Sequence, residues 1–281
     1  MEFMRLGEPG SEIPAVRQSG TIFDLRPLTG DIDGGFWDSG VERTADALDA
    51  GDLAPLPDAE LLRVGPPVAR PMALLNIGQN YAAHAAESGS PTPTRPILFF
   101  KHPNTMVGPH DDIPMPRGAT KLDWEVELAV VIGRRASYLS SPEEAIGHVA
   151  GYAISNDVSE RDWQREHGGP QWSKGKSMPS SNPFGPVVVP AHEVDPQALR
   201  IWSTVNGEPR QDSTTADMVF SVAQLIWDLS QYLTLEPGDV INTGTPQGVA
   251  LSGRFPYLQV GDVLELGIDG LGTQGSEIVA P

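Results

Sequence analysis

The run Leu122-Asp123-Trp124-Glu125-Val126-Glu127-Leu128-Ala129-Val130-Val131-Ile132-Gly133 restricts the fold more than any other part of the chain. Its Val, Ile and Leu content and its closing glycine predict a buried strand over Trp124–Ile132. Strand side chains alternate faces, so Glu125 and Glu127 point the same way with Cα atoms roughly 7 Å apart. Two carboxylates on one face of an apolar strand repel each other and lose hydration. They need protons or a cation, and a hard divalent ion with oxygen ligands is the simplest remedy. The plainer alternative is a solvated strand face.

Asp157 is the third candidate ligand, placed where the apolar run Val149–Asp157 meets a predicted helix, Ser159–Glu166. Strand ends combine a rigid scaffold with an open side and often carry sites. Taken alone, Asp157 reads more readily as a helix cap. Arg161 follows by four residues and is expected on the helix face nearest the strand end. It reads as a substrate contact, a surface ion pair or a partner of a ligand carboxylate. Two glutamates and an aspartate around one ion leave positions open for water and a chelating substrate.

The remaining sequence predicts an α+β, mostly β chain, and 30 glycines with 27 prolines suit short strands joined by turns. Further strand expectations are Ala73–Ile77, Ile97–Lys101, Pro186–Val189, Ile201–Val205, Asp239–Thr243 and Val263–Ile268. Helices are expected over Tyr81–Glu87, Pro142–Ile146 and Val222–Tyr232. Proline-rich residues around Gly65–Pro71 suggest a small N-terminal domain, 1–68, joined to a larger domain, 72–281. Lys101 reads as a strand-end charge, and Trp163, Trp172, Trp202 and Trp227 as packing.

A net charge of −18, from 19 basic and 37 acidic residues, argues against nucleic acid and anionic membranes as partners. It also requires that any anionic substrate meet local positive charge. No stretch of 18 apolar residues and no signal-type h-region is present, and there is no cysteine, so a cytoplasmic protein is expected. No Gly-x-Ser-x-Gly elbow occurs, and the glycine clusters open no predicted helix after a strand, so neither that hydrolase signature nor a dinucleotide site is expected.

Five segments in order resemble the fumarylacetoacetate hydrolase family from Met72 to the C-terminus. They are Gly78–Glu87, a lid segment; Trp124–Leu128, the metal strand; Asn156–Arg161; Trp172–Ser177, a lysine motif; and Thr243–Val249, a glycine-rich turn. The resemblance is nearest to bacterial hydrolases of 2,4-dioxo-3-deoxy sugar acids. It implies the family's β-sandwich roll, a homodimer, and Mg2+ or Mn2+ held by Glu125, Glu127 and Asp157. It further implies His84, Glu87 and Lys176 as catalytic residues, with Lys176 preferred over Lys174. Arg161, Gly244 and Thr245 are then the contacts of a small anionic 2-oxo acid.

One departure stands out, since Pro179 replaces the acidic residue usual after the lysine motif, in a loop made polar by Ser181 and Asn182. The activity implied is metal-dependent hydrolysis of a C–C bond in an acylpyruvate or related 2,4-dioxo acid. Decarboxylation of a 2-oxo acid such as oxaloacetate is the alternative on the same scaffold, and metal or ligand binding without turnover is the alternative of another class.

Overall fold

The run Val126–Ile132 is buried along its whole length, so both of its edges must find backbone partners. It pairs antiparallel with Val149–Asn156 on one side and Val240–Asn242 on the other. The resulting six-stranded sheet runs Val189–Pro190, Val149–Asn156, Val126–Ile132, Val240–Asn242, Leu74–Gly78, Ile97–Lys101. Within it only Val240–Asn242 and Leu74–Gly78 are parallel. The computed structural model from which this architecture is taken describes every residue except Pro170.

The two faces of the central strand go to different neighbours, as a period of two requires. Val126, Leu128, Val130 and Ile132 join a core with Ile201, Val205, Leu264, Leu266 and Ile268. These come from a five-stranded sheet ordered Glu208–Thr214, Arg200–Val205, Val263–Ile268, Gly272–Val279, Ile113–Pro114. Ala129 and Val131, on the other face, pack with Phe3, Val16, Phe184 and Val188. Glu127 lies on this second face, one step before Ala129.

The first residues build a four-stranded sheet, Thr21–Asp24, Ile13–Gln18, Glu2–Leu6, Val64–Gly65. Phe3 and Val188 exchange backbone hydrogen bonds of 2.9 Å, and Phe3 stacks edge-on against Phe36 and Trp37. No helix among the described residues is long and apolar enough to cross a membrane.

Most expected elements are found within a residue or two, and the differences are instructive. Ser159–Glu160 is a short strand paired with Leu122–Asp123, followed by a π-helical turn, Trp163–His167, where a helix was expected. Polar residues at Asp157, Ser159, Glu160 and Asp162 imitate a capped helix start, but buried pairing with Leu122–Asp123 takes precedence. The expected strand Pro186–Val189 is confined to Val189–Pro190. Glu2–Leu6, Ile13–Gln18, Glu208–Thr214 and Gly272–Val279 are strands that charged and small residues conceal.

The helix Val222–Ser230 buries Leu225, Ile226 and Leu229 against the sandwich core. Its start is fixed by a capping box: Gln224 N–H donates to Ser221 Oγ, and Ser221 N–H donates to Gln224 Oε1 at 2.8 Å. Ser221→Ala is expected to lower unfolding stability by about 1 kcal/mol. Urea denaturation with an unchanged m-value is the measurement, and an unchanged midpoint would refute the cap's role.

Candidate metal centre and its cavity

Glu125 stands just before the central strand, Glu127 is its second residue, and Asp157 follows the neighbouring strand. The register pairs Val126 with Asn156, and Asp157 N–H donates to the Glu125 carbonyl at 2.9 Å. Each of the three side chains can therefore offer a carboxylate oxygen within 4.8 Å of the others. They are 4%, 1% and 0% exposed, so water does not neutralise them. Trp124 and Glu125 fall outside the paired strand, but the alternation that aims both glutamates one way persists.

Three buried cations surround the group. Lys176 Nζ donates to Glu125 Oε2 at 2.7 Å and to Asp157 Oδ2 at 2.8 Å. Arg161 forks onto Asp123 and reaches Glu125 Oε1 at 2.7 Å and Gln164 Oε1 at 3.0 Å. Lys101 Nζ donates to Asp157 Oδ1 at 2.6 Å and to the carbonyls of Ser181 and Val158. Asn76 adds a 3.0 Å hydrogen bond to Asp157 Oδ2, and Gly244 N–H one of 2.7 Å to Glu127 Oε2. Four carboxylates, with Asp123, face three cations, leaving one negative charge in a buried volume.

The charge excess falls on Glu127. Burial, then Asp157 and Glu125 beside it, push its carboxyl well above the usual range. Burial acts on Glu125 in the same direction, but Lys176 and Arg161 outweigh it and hold that carboxyl at about 2. Burial lowers the Lys101 ammonium against the pull of Asp157, whereas at Lys176 the attraction of Asp157 and Glu125 exceeds the burial penalty and raises it. A buried, all-oxygen donor set with one under-neutralised glutamate suits a hard divalent cation.

The centre forms the floor of a cavity of about 210 Å³. That is below the ~300–1,000 Å³ typical of sites for drug-sized ligands and suits a small acid. His84, on the helix Ala82–Glu87, lines the same cavity and is 6% exposed. Its Nδ1 lies 2.9 Å from Glu87 Oε1, the contact their three-residue spacing allows. With Glu87 ionised, Nδ1 donates and Nε2 is left as an acceptor. Both Glu87 oxygens also accept from Gly248 N–H at 3.1 Å. A Cβ on Gly248 would stand 2.2 Å from the Arg210 carbonyl, at a φ of +106°, so glycine is required there.

Thr245 lines the cavity, and its hydroxyl donates to the Val126 carbonyl at 2.8 Å and accepts from Gln211 Nε2 at 2.7 Å. Lys174 is exposed and, among the described residues, reaches only the His167 carbonyl, at 3.4 Å, so of these two lysines Lys176 is the one at the centre. Pro179 is exposed and outside the cavity wall, while Ser181 holds Lys101 through its carbonyl and donates its hydroxyl to the Lys176 carbonyl at 3.0 Å.

Lys101 closes its strand, as the sequence reading has it, but its side chain is fully buried and donates to Asp157. Trp172 packs on Phe99 at 5.3 Å between centroids, as expected, but also lines the cavity. Asn76, Asp123, Gln164 and Gln211 escaped the sequence reading. A polar residue inside the apolar run Ala73–Ile77 was a usable signal for Asn76, as was its adjacency to Trp124 for Asp123.

Residues 73–279 match the family model described as fumarylacetoacetate (FAA) hydrolase C-terminal. A Burkholderia multivorans protein whose name offers a hydrolase only provisionally is 46% identical over 98% of this chain and 97% of its own. Among solved structures, fumarylacetoacetate hydrolase from psychrophilic Exiguobacterium antarcticum superposes with a TM-score of 0.88 at 36% identity, covering 100% of both chains. Maleylpyruvate hydrolase from Sphingobium sp. SYK-6, in complex with manganese (II) ion and pyruvate, gives 0.80 at 26% identity over 100% of this chain and 99% of that one. 2-Hydroxyhepta-2,4-diene-1,7-dioate isomerase from Mycobacterium marinum gives 0.75 at 27% identity over 100% and 98%.

The raised Glu127 carboxyl makes cation binding proton-linked. Below its pKa Glu127 holds a proton that a cation must displace, so affinity for Mg2+ or Mn2+ is expected to rise with pH and level off once that pKa is passed. Titration calorimetry in buffers of different ionisation enthalpy should show proton release on binding. Glu127→Gln should bind more weakly and release none. A buffer-independent enthalpy for the wild type would contradict this account.

Proposed function

Because the chain belongs to the fumarylacetoacetate hydrolase family, we propose that it hydrolyses a C–C bond in a 2,4-dioxo acid, an acylpyruvate or 2,4-dioxo-3-deoxy sugar acid. The observation that carries this reading is that His84, held by Glu87, lines the same cavity as Glu125 and Glu127 of the acidic triad. A base aimed at that cavity supplies what hydrolysis needs and simple decarboxylation does not.

Glu125, Glu127 and Asp157 would hold the cation, which when bound would supply positive charge to the substrate's anionic end and a sink for enolate charge. With a divalent ion held there, the floor would carry one net positive charge, which a substrate carboxylate would neutralise. His84 Nε2 takes a proton from water while Glu87 fixes the ring and stabilises the imidazolium. The hydroxyl adds to the distal carbonyl, and Lys176 stabilises the oxyanion that develops there. The C3–C4 bond then breaks, its electron pair passes to C3 as the enolate of pyruvate, and the imidazolium proton quenches that carbanion. The products are a carboxylic acid and pyruvate, the compound bound by the maleylpyruvate hydrolase.

Arg161 holds Glu125 and Asp123 in place and presents positive charge to the incoming acid. Gly244 and Thr245 form the turn behind Glu127 against which the substrate's carboxylate end rests. The reading assigns this chemistry to residues 72–281, with 1–68 as a supporting domain, in a cytoplasmic homodimer.

Pyruvate release from acetylpyruvate with Mg2+ or Mn2+ is the direct assay, and product identification separates cleavage from the double-bond shift of an isomerase. His84→Ala should reduce dioxo-acid cleavage by about 10²–10⁴, the size of a general-base contribution. Oxaloacetate decarboxylation, the second reading, should survive in part in that variant. Glu127→Gln should lose both activities together. Near-wild-type cleavage in His84→Ala would require another base.

A further inference from the structure

The polar groups of the cavity fall into two sets. At the floor, Arg161, Lys176, Glu125 and Glu127 are bonded to one another or to the backbone. At the rim stands an exposed cation, Arg165, that makes no hydrogen bond or ion pair with any described residue. Elsewhere in the lining, the Ser88 hydroxyl is sealed from solvent and also lacks a partner among the described residues.

Arg165 owes its place to an unusual backbone. It lies in the π-helical turn Trp163–His167, whose wider winding lets consecutive residues Gln164 and Arg165 both line the cavity. Glycines permit that turn. A Cβ on Gly168 would stand 2.4 Å from the Gln171 carbonyl, and one on Gly175 2.3 Å from Gln164 N. Gln164 in turn accepts from Arg161 at 3.0 Å, so the turn is tied to the floor of the centre. Single π turns of this kind concentrate at functional sites.

We propose that Arg165 reads the far end of the substrate's acyl group and selects acyl groups that end in a carboxylate. With one acid at the floor, charge there is balanced, so a second carboxylate entering a protein of net charge −18 needs its own cation. Charges farther away than about 8 Å are largely screened at physiological salt, so the rim residue decides. Ser88 offers a neutral donor in the same cavity. A hydroxylated tail would be served by Ser88, Ser90 and Gln79, and would leave Arg165 without a role. The inference rests on the hydrolase reading above and adds the substrate class.

The test is kcat/KM of the metal-loaded protein for succinylpyruvate and for its nearly isosteric ω-amide, in wild type, Arg165→Gln and Arg165→Lys, with acetylpyruvate as the reference for cleavage itself. Wild type should prefer the carboxylate over the amide by about tenfold, the scale of a charge-assisted contact at an open rim. Arg165→Gln should abolish that preference, chiefly through KM, and Arg165→Lys should restore part of it. If acetylpyruvate is cleaved but the carboxylate-to-amide ratio is near one, or is the same in Arg165→Gln as in wild type, this inference falls and the hydrolase reading stands. If none of the three acids releases pyruvate, the hydrolase reading falls and takes this inference with it.

Discussion

Asp157 is the pivot of the molecule's chemistry, and what fixes it is a set of contacts from four separate parts of the chain. Lys101, Asn76 and Lys176 all donate to its two oxygens, while its backbone N–H is tied to Glu125. A fully buried carboxylate without such partners would take up a proton. Removing one member would leave a buried charge uncompensated, which costs several times what the pair itself contributes. The six-stranded sheet can be understood as the scaffold that brings those members together. Its order places Leu74–Gly78 and Ile97–Lys101 on one side of the central strands and Val149–Asn156 on the other.

The same constraint explains why so much surrounding structure is backbone-tight. Gly244 must present its N–H to Glu127, and a Cβ there would stand 2.8 Å from the Asn80 side chain at a φ of +97°. Gly248 must come close to Arg210 to hold Glu87. The turn Thr243–Val249 thus positions a member of the acidic triad and the partner of His84 at once. Thr245 and Gln211 link that turn to Val126 and to the five-stranded sheet. The two sheets are joined at the site by hydrogen bonds as well as by the apolar core.

What was legible in the sequence follows from where the signals were local. The i, i+2 glutamates in an apolar strand, the i, i+3 spacing of His84 and Glu87, and the strand end before Asp157 carry their geometry in the spacing, and each is found as that spacing requires. Lys101 was not legible because its meaning lies in strands distant in the chain that meet only in the sheet, and Asn76, though flagged by its place in an apolar run, finds its partner Asp157 only there. Lys101 looks like any charge closing an apolar run, and only the pairing of Ile97–Lys101 with Leu74–Gly78 at the sheet edge turns it inward. The π turn was misread as a helix because its polar residues suit both, and burial of Gln164 and Glu160 chose between them. The five ordered motifs conveyed the family, whereas the fourth charge of the centre, Asp123, needed the fold.

The acidity of the chain and the anionic character of a 2-oxo acid then cease to conflict. The net charge of −18 acts largely through screened water, whereas Lys101, Lys176 and Arg161 act at contact distance in a buried volume, where each charge counts for more. Those three cations pair with Asp123, Glu125 and Asp157 and leave Glu127 over, so by themselves they do not make the floor attractive to an acid. A bound divalent cation would invert that sign. On the proposed reading, affinity for the cation and affinity for an anionic substrate would arise from one imbalance: too few buried cations for the carboxylates present. A chain that paired every carboxylate internally would be more stable in isolation and would bind neither.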